Sequence, residues 1–113
     1  MPVRIKRVYD EPAADDGTRI LVDRLWPRGI SREKAAFETW MKDVAPSSDL
    51  RKWFDHRPER WVEFQQRYRA ELRGNPEVET LRKMAAAGAV TLLYGSRNRE
   101  FNHARVLAEV MES

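Results

Sequence analysis

Hydrophobic positions along the chain change period several times, and each change predicts an element. Val3 to Val8 alternates apolar and basic residues, as in an edge or half-buried strand. Tyr9 to Gly17 is acidic and holds Pro12 and the turn pair Asp16-Gly17, so it is predicted as a loop. Arg19 to Asp23 reads as a buried second strand. Ser31 is placed to cap a short helix over Arg32 to Ala36. In Phe37 to Val44 the residues Phe37, Thr39 and Met41 alternate with Glu38, Trp40 and Lys42. This favours a third strand over a helix continuing through Trp40. Ala45-Pro46-Ser47-Ser48 then breaks the chain and caps a helix from Asp49 to about Asp55.

The second half is helical in period. Pro58 suits the first turn of a helix over Glu59 to Arg73. There Trp61, Phe64, Tyr68 and Leu72 form one amphipathic stripe. Gly74 stops that helix. Pro76 opens the next, which turns Val78, Leu81 and Met84 or Ala85 inward and ends at Gly88. Ala89 to Tyr94 is a continuous apolar run suited to a central strand. Gly95 to Asn98 is a loop with Asn98 as a helix cap. The closing helix, Arg99 to Met111, buries Val106, Leu107 and Val110. Strands interleaved with helices predict one small three-layer α/β/α domain over residues 1–113, with a mostly parallel sheet of about four strands. The link between the first two strands is awkward. It has about ten residues and no helical pattern, whereas a parallel crossover usually needs a dozen or more. The first strand therefore pairs antiparallel, or its link runs as an open loop.

Composition narrows the chemistry. The 113 residues hold four Trp and no Cys. Disulfides, thiol nucleophiles and thiolate metal sites are thereby excluded. Two distant histidines give no metal-ligand spacing, and no glycine-rich phosphate loop is present. Neither a metal nor a cofactor is expected. Met1-Pro2-Val3-Arg4 lacks the apolar core of a signal peptide, and no apolar run approaches membrane-spanning length. A cytoplasmic protein is expected. The formal charge is +3 and the pI about 9.5. That is a weak pointer to anionic partners, because charges of both signs alternate along most of the chain.

The richest segment is Ile20 to Gly29. A buried strand stops there in Asp23, Arg24, Trp26, Pro27 and Arg28. The loop at the carboxyl end of such a strand lines the ligand crevice of an open α/β sheet. Arg24 and Arg28 could fork a phosphate or carboxylate, or one could pair with Asp23 to brace the loop. Trp26 could stack on a ring or plug the core. Tyr94, at the end of the last strand, could offer its hydroxyl to a ligand or sit in the core. The amides of Gly95-Ser96 are a candidate anion nest. Asn102 could orient His103 or cap the preceding loop. His103 faces the carboxyl edge of the sheet and could serve as general base or donor, or as a satisfied half-buried residue. His56 reads as surface capping, and the Trp53, Phe54, Trp61, Phe64, Tyr68 set as core.

The order of these pieces carries a resemblance. Leu21 to Gly29, then Ala45-Pro46-Ser47 with Leu50 to Phe54, then Thr91 to Tyr94, then Asn102-His103-Ala104 resemble the YeaO-like branch of bacterial domain-of-unknown-function family 488. The resemblance implies a fold and brings no settled activity. It also implies departures. Other branches end the last strand in a cysteine and open the last helix with Cys-His-Arg, where this chain has Tyr94 and Asn102-His103-Ala104. Their strand-end loop resembles Asp-x-Arg with a later Pro-Arg. Here Asp23, Pro27 and Arg28 match, but Arg24 follows Asp23 directly and the loop is one residue shorter. Their helix after the first strand is missing. If the family has a cysteine-dependent reaction, this chain cannot perform it by the same route.

The site expected from residues and resemblance together comprises Asp23, Arg24, Arg28, Tyr94, Ser96, Asn102 and His103, with His103 and Asp23 as catalytic candidates. The expected partner is a small anionic or nucleotide-like ligand. Nucleic acid is an alternative, requiring Arg67, Arg69 and Arg73 to form one face. A scaffold for a protein partner is another.

Overall fold

The structure is a computed structural model and describes residues 3–112. The reading of Met1 and Pro2 as part of a leaderless start lies outside the described residues. Four strands, β1 (Val3–Arg7), β2 (Thr18–Leu21), β3 (Thr39–Trp40) and β4 (Val90–Tyr94), form one sheet in the order β1-β4-β2-β3. Every pairing is parallel. All five residues of β4 are buried, as suits an apolar run flanked on both sides.

The first strand is parallel, which settles the awkward link. Its register sets Ile5 against Leu92 and Arg7 against Tyr94. The connection to β2 has no α-helix, only a single 3₁₀ turn at Ala14–Asp16. Polar contacts hold it where a crossover helix would otherwise bury apolar surface. Asp16, only 2% exposed, pairs with Arg19 at 2.5 Å and with Lys6 at 3.1 Å. Arg19 also donates to the carbonyls of Ala35 and Ala36, and Thr91 donates to that of Asp16. Burial pushes the Asp16 carboxyl up, but the Ala13 amide, Lys6 and Arg19 outweigh it and hold it below the usual carboxylate range. Gly17 closes the turn at φ +65°, where a Cβ would strike the Ala89 carbonyl oxygen at 2.2 Å.

Helices α1 (Arg32–Ala35), α2 (Ser48–Phe54), α3 (Trp61–Leu72), α4 (Pro76–Ala87) and α5 (His103–Glu112) complete the chain. Strand alternation divides the core. Ile20, Val22, Leu92 and Tyr94 pack with side chains of α2 to α5, including Phe54, Phe64, Tyr68, Leu81 and Leu107. Leu21 and Leu93 point the other way, onto Val8, Ala35, Ile30, Phe37 and Trp40. One face thus carries a full helical layer. The other is covered by the four-residue α1 and its loops.

Several boundaries differ from the sequence reading. The second strand begins at Thr18 and ends at Leu21. The third is only two residues long, because a 3₁₀ turn at Lys42–Val44 takes the rest. Pro58–Arg60 is a 3₁₀ turn ahead of α3. The closing helix begins at His103, not Arg99. Asn98 does not cap it but accepts from the amides of Glu100 and Phe101, folding a tight turn. Asn102 is the cap, accepting from the Arg105 amide at 2.9 Å. Val110 is half-buried rather than fully enclosed. No helix among the described residues is long and apolar enough to cross a membrane.

Candidate functional site

Parallel strands deliver their carboxyl ends to one edge, and a cavity of about 670 Å³ opens there. The ends of β1, β2 and β4 contribute Arg7, Asp23 and Gly95 to its wall. Asp23, Arg24, Arg28, Ser96, Asn102 and His103 all line it. Tyr94 does not. Its ring is 2% exposed, within the helical-face core. Burial raises its pKa, Arg99 and Arg7 lower it, and Asp10 adds to the rise. Strand alternation explains the miss: Tyr94 shares the parity of Val90 and Leu92, which face the helices.

The floor is built around Asp23. One carboxylate oxygen, Oδ2, accepts from the Gly95 amide at 2.9 Å. Close approach is possible because residue 95 is glycine; a Cβ there would meet that oxygen at 2.8 Å. The candidate nest at Gly95-Ser96 is therefore already filled by the protein's own carboxylate. Oδ1 is buried and lies 3.2 Å from His103 Nε2, which also sits 3.0 Å from the Val22 carbonyl oxygen. Both neighbours of Nε2 are acceptors, so Nε2 carries a hydrogen. It goes to the Val22 carbonyl, and buried Asp23 Oδ1 has no hydrogen-bond partner among the described residues. In the neutral ring the lone pair then resides on Nδ1, which makes no hydrogen bond with the described residues. The imidazole is edge-on to Tyr68, with ring centroids 6.2 Å apart. Tyr68 is fully buried and donates to the Val44 carbonyl. Burial holds its hydroxyl well above the usual phenol value, so it stays protonated as a donor.

The arginines divide into two kinds. Arg24 donates to the carbonyls of Ala45 and Pro46, tying the β2 loop to the start of α2. Arg7 donates to the carbonyls of Ser96 and Gly95 and lies over the Tyr9 ring. Neither guanidinium pairs with a carboxylate among the described residues. The side chains of Arg28, Arg51 and Arg97 line the cavity and make no ion pair or hydrogen bond with the described residues. Arg28 enters the wall because Pro27 is buried and Gly29 takes φ +71° behind it. Its carbonyl accepts from the Tyr9 hydroxyl at 2.6 Å, which fixes the turn. Trp26 is 37% exposed, donates to the Ile30 carbonyl and stacks edge-on to Phe37 and Trp40. It is mainly a packed plug with one face on the cavity.

Sequence reasoning did not place Arg7, Arg51, His56 or Arg97 at this edge. Arg7 and Arg97 follow parallel strands, so the carboxyl-edge rule could have flagged them. Arg51 and His56 come from α2 and its exit turn, whose docking position no local pattern fixes. That turn holds Asp55 and His56 at φ +48° and +54° in succession. Two consecutive left-handed non-glycine residues are uncommon. Phe54, buried at 8% exposure just before them, anchors the turn that brings exposed His56 to the cavity rim.

Fold and edge together define a small parallel α/β domain with a basic crevice at the carboxyl ends of its strands. The chain belongs to the family described as the inactive DUF488-N3 subclade, whose model matches residues 2–113. It is 43% identical over 114 residues to the uncharacterised protein YeaO of Escherichia coli, covering 100% of this chain and 99% of that one. It is 44% identical over 109 residues to uncharacterised proteins of Mycobacterium tuberculosis and Mycobacterium bovis, covering 96% of this chain and 92% of theirs. No solved structure matches.

Proposed function

We propose that this chain is a cytoplasmic protein that binds a small anionic or nucleotide-like ligand in the crevice at the carboxyl edge of its sheet. One observation carries the reading. The cavity is lined by five arginines (Arg7, Arg24, Arg28, Arg51 and Arg97) and one carboxylate, Asp23, a formal excess of four positive charges. The whole chain carries only +3. The rest of the molecule is therefore close to neutral, and the basic balance is concentrated in one concave site. A cleft lined by one sign of charge focuses its field and draws in counter-charged ligands.

Two further facts support binding without turnover. The family description carries the word inactive. The chain has no cysteine, so a reaction that needs a nucleophilic thiol is closed to it. Nothing favours the nucleic-acid face, since Arg67 pairs with Glu63 and Arg69 with Glu109 on the helical side. The test is a thermal-shift screen of anionic metabolites and nucleotides against their neutral counterparts, on wild type and Arg28→Ala. Ligand binding to the native state raises the melting temperature by mass action. Anion-selective stabilisation that is lost in Arg28→Ala supports the crevice. Equal response to neutral compounds, or an anion response intact in Arg28→Ala, refutes it.

A further inference from the structure

Resting on that reading, we infer the ligand's chemical class: a linear oligophosphate, free or as the tail of a nucleoside di- or triphosphate, bound in its metal-free form. A terminal phosphate carries about −1.5 to −2 at neutral pH, and each further phosphate adds roughly one more negative charge. A single carboxylate or sulfate would leave most of the four-charge excess uncompensated. Two or three linked phosphates match it. Asp23 is already subtracted in that excess, and one of its carboxylate oxygens is taken by the Gly95 amide.

The wall arginines whose side chains have no partner among the described residues come from separate segments: Arg28 from the loop after β2, Arg51 from α2 and Arg97 from the loop after β4. Guanidinium groups prefer forked contacts to phosphate oxygens. Groups spread around a 670 Å³ cavity fit an extended anion better than a point charge. The same wall offers apolar surface: Leu25 is 59% exposed there, beside half-buried Phe101. That surface could bed a nucleoside. Magnesium binds through carboxylates together with phosphates. The wall offers a single carboxylate, with one oxygen on the Gly95 amide and the other buried, and magnesium would compete with the arginines for the same phosphate oxygens.

The test is calorimetric titration of the full chain at constant ionic strength. Probes are orthophosphate, pyrophosphate, tripolyphosphate, AMP, ADP and ATP, each with chelator and with excess magnesium. Affinity is expected to rise about tenfold with each added phosphate, to fall in magnesium, and to drop about tenfold or more in Arg28→Ala and Arg97→Ala. Arg67→Ala, on the helical side, should bind as wild type does. ATP tighter than tripolyphosphate identifies a nucleotide as the source, equal affinity a free oligophosphate, and either supports the shared chemistry. If orthophosphate and AMP bind as tightly as the longer anions, the crevice reading survives and the oligophosphate inference is overturned. Tighter binding in magnesium overturns the metal-free form. Equal loss in Arg67→Ala, or no binding by any probe, overturns the inference and the crevice reading together.

Discussion

Replacing Gly95 with alanine should disturb the floor of the crevice without touching the helical core. The added Cβ would lie 2.8 Å from Asp23 Oδ2 and 3.4 Å from Pro27 Cβ. The first distance is too short for any real contact, so the carboxylate must withdraw and lose its bond to the residue 95 amide. A hydrogen bond to a charged group contributes about 1.5–3 kcal/mol. A net loss of about 2 kcal/mol corresponds to a fall of roughly 8 °C in melting temperature for a domain of this size. Gly88→Ala is the control, because no atom lies within 4 Å of its added Cβ. Its backbone is extended at φ 172°, so its melting point should move little. The double variant Gly95→Ala with Asp23→Ala should cost clearly less than the sum of the singles, since the second change removes the atom that the first one strikes. Calorimetric melting of all four variants gives the answer. Wild-type stability in Gly95→Ala, or strict additivity in the double, would refute the account of the floor.

Four other outcomes follow from the same contacts. Arg28→Ala should melt within about 0.5 kcal/mol of wild type, as expected for a side chain without internal partners. Arg28→Lys keeps the charge but not the fork, so titration of it should recover only part of the ligand affinity. Asn102→Ala removes the cap of α5 and should cost about 1 kcal/mol in chemical denaturation. Asp16 is held below its unfolded value, so its contribution to stability is present above about pH 4 and is lost as pH falls through the folded value. Asp16→Asn should therefore flatten the acid limb of the stability profile, and it should cost about 3 kcal/mol at neutral pH by leaving buried Arg19 without its carboxylate.

The helices and the central strand were legible because their signals are local. Trp61, Phe64, Tyr68 and Leu72 recur at helical spacing, and the apolar run at Val90–Tyr94 needs cover on both faces. Proline and glycine at positions 76 and 88 bounded α4 from sequence. The first strand's direction was not legible. It depends on a polar clamp, Asp16 with Lys6, Arg19 and Thr91, whose members are scattered over 86 positions, from Lys6 to Thr91. The start of α5 was misplaced because Asn98 and Asn102 are equally good caps in sequence, and only the buried position of Asn102 selects it. Asp23, Arg28 and His103 could be placed beside strand ends by simple order. Arg24 could not be sorted from Arg28: one donates to the carbonyls at residues 45 and 46, the other has no internal partner. Tyr94 was misread because strand parity, not proximity to the edge, sets its direction.

The central claim is that the unpartnered crevice arginines, not the basic residues of the helical layer, receive the anion. Nitrogen-15 NMR of the arginine Nε–H groups during titration with pyrophosphate observes this directly, residue by residue. Signals of Arg28, Arg51 and Arg97 should shift together along one saturating curve, while those of Arg67, Arg69 and Arg82, paired with Glu63, Glu109 and Glu79, stay in place. Shifts confined to the helical arginines, or spread evenly over both groups, would contradict the account.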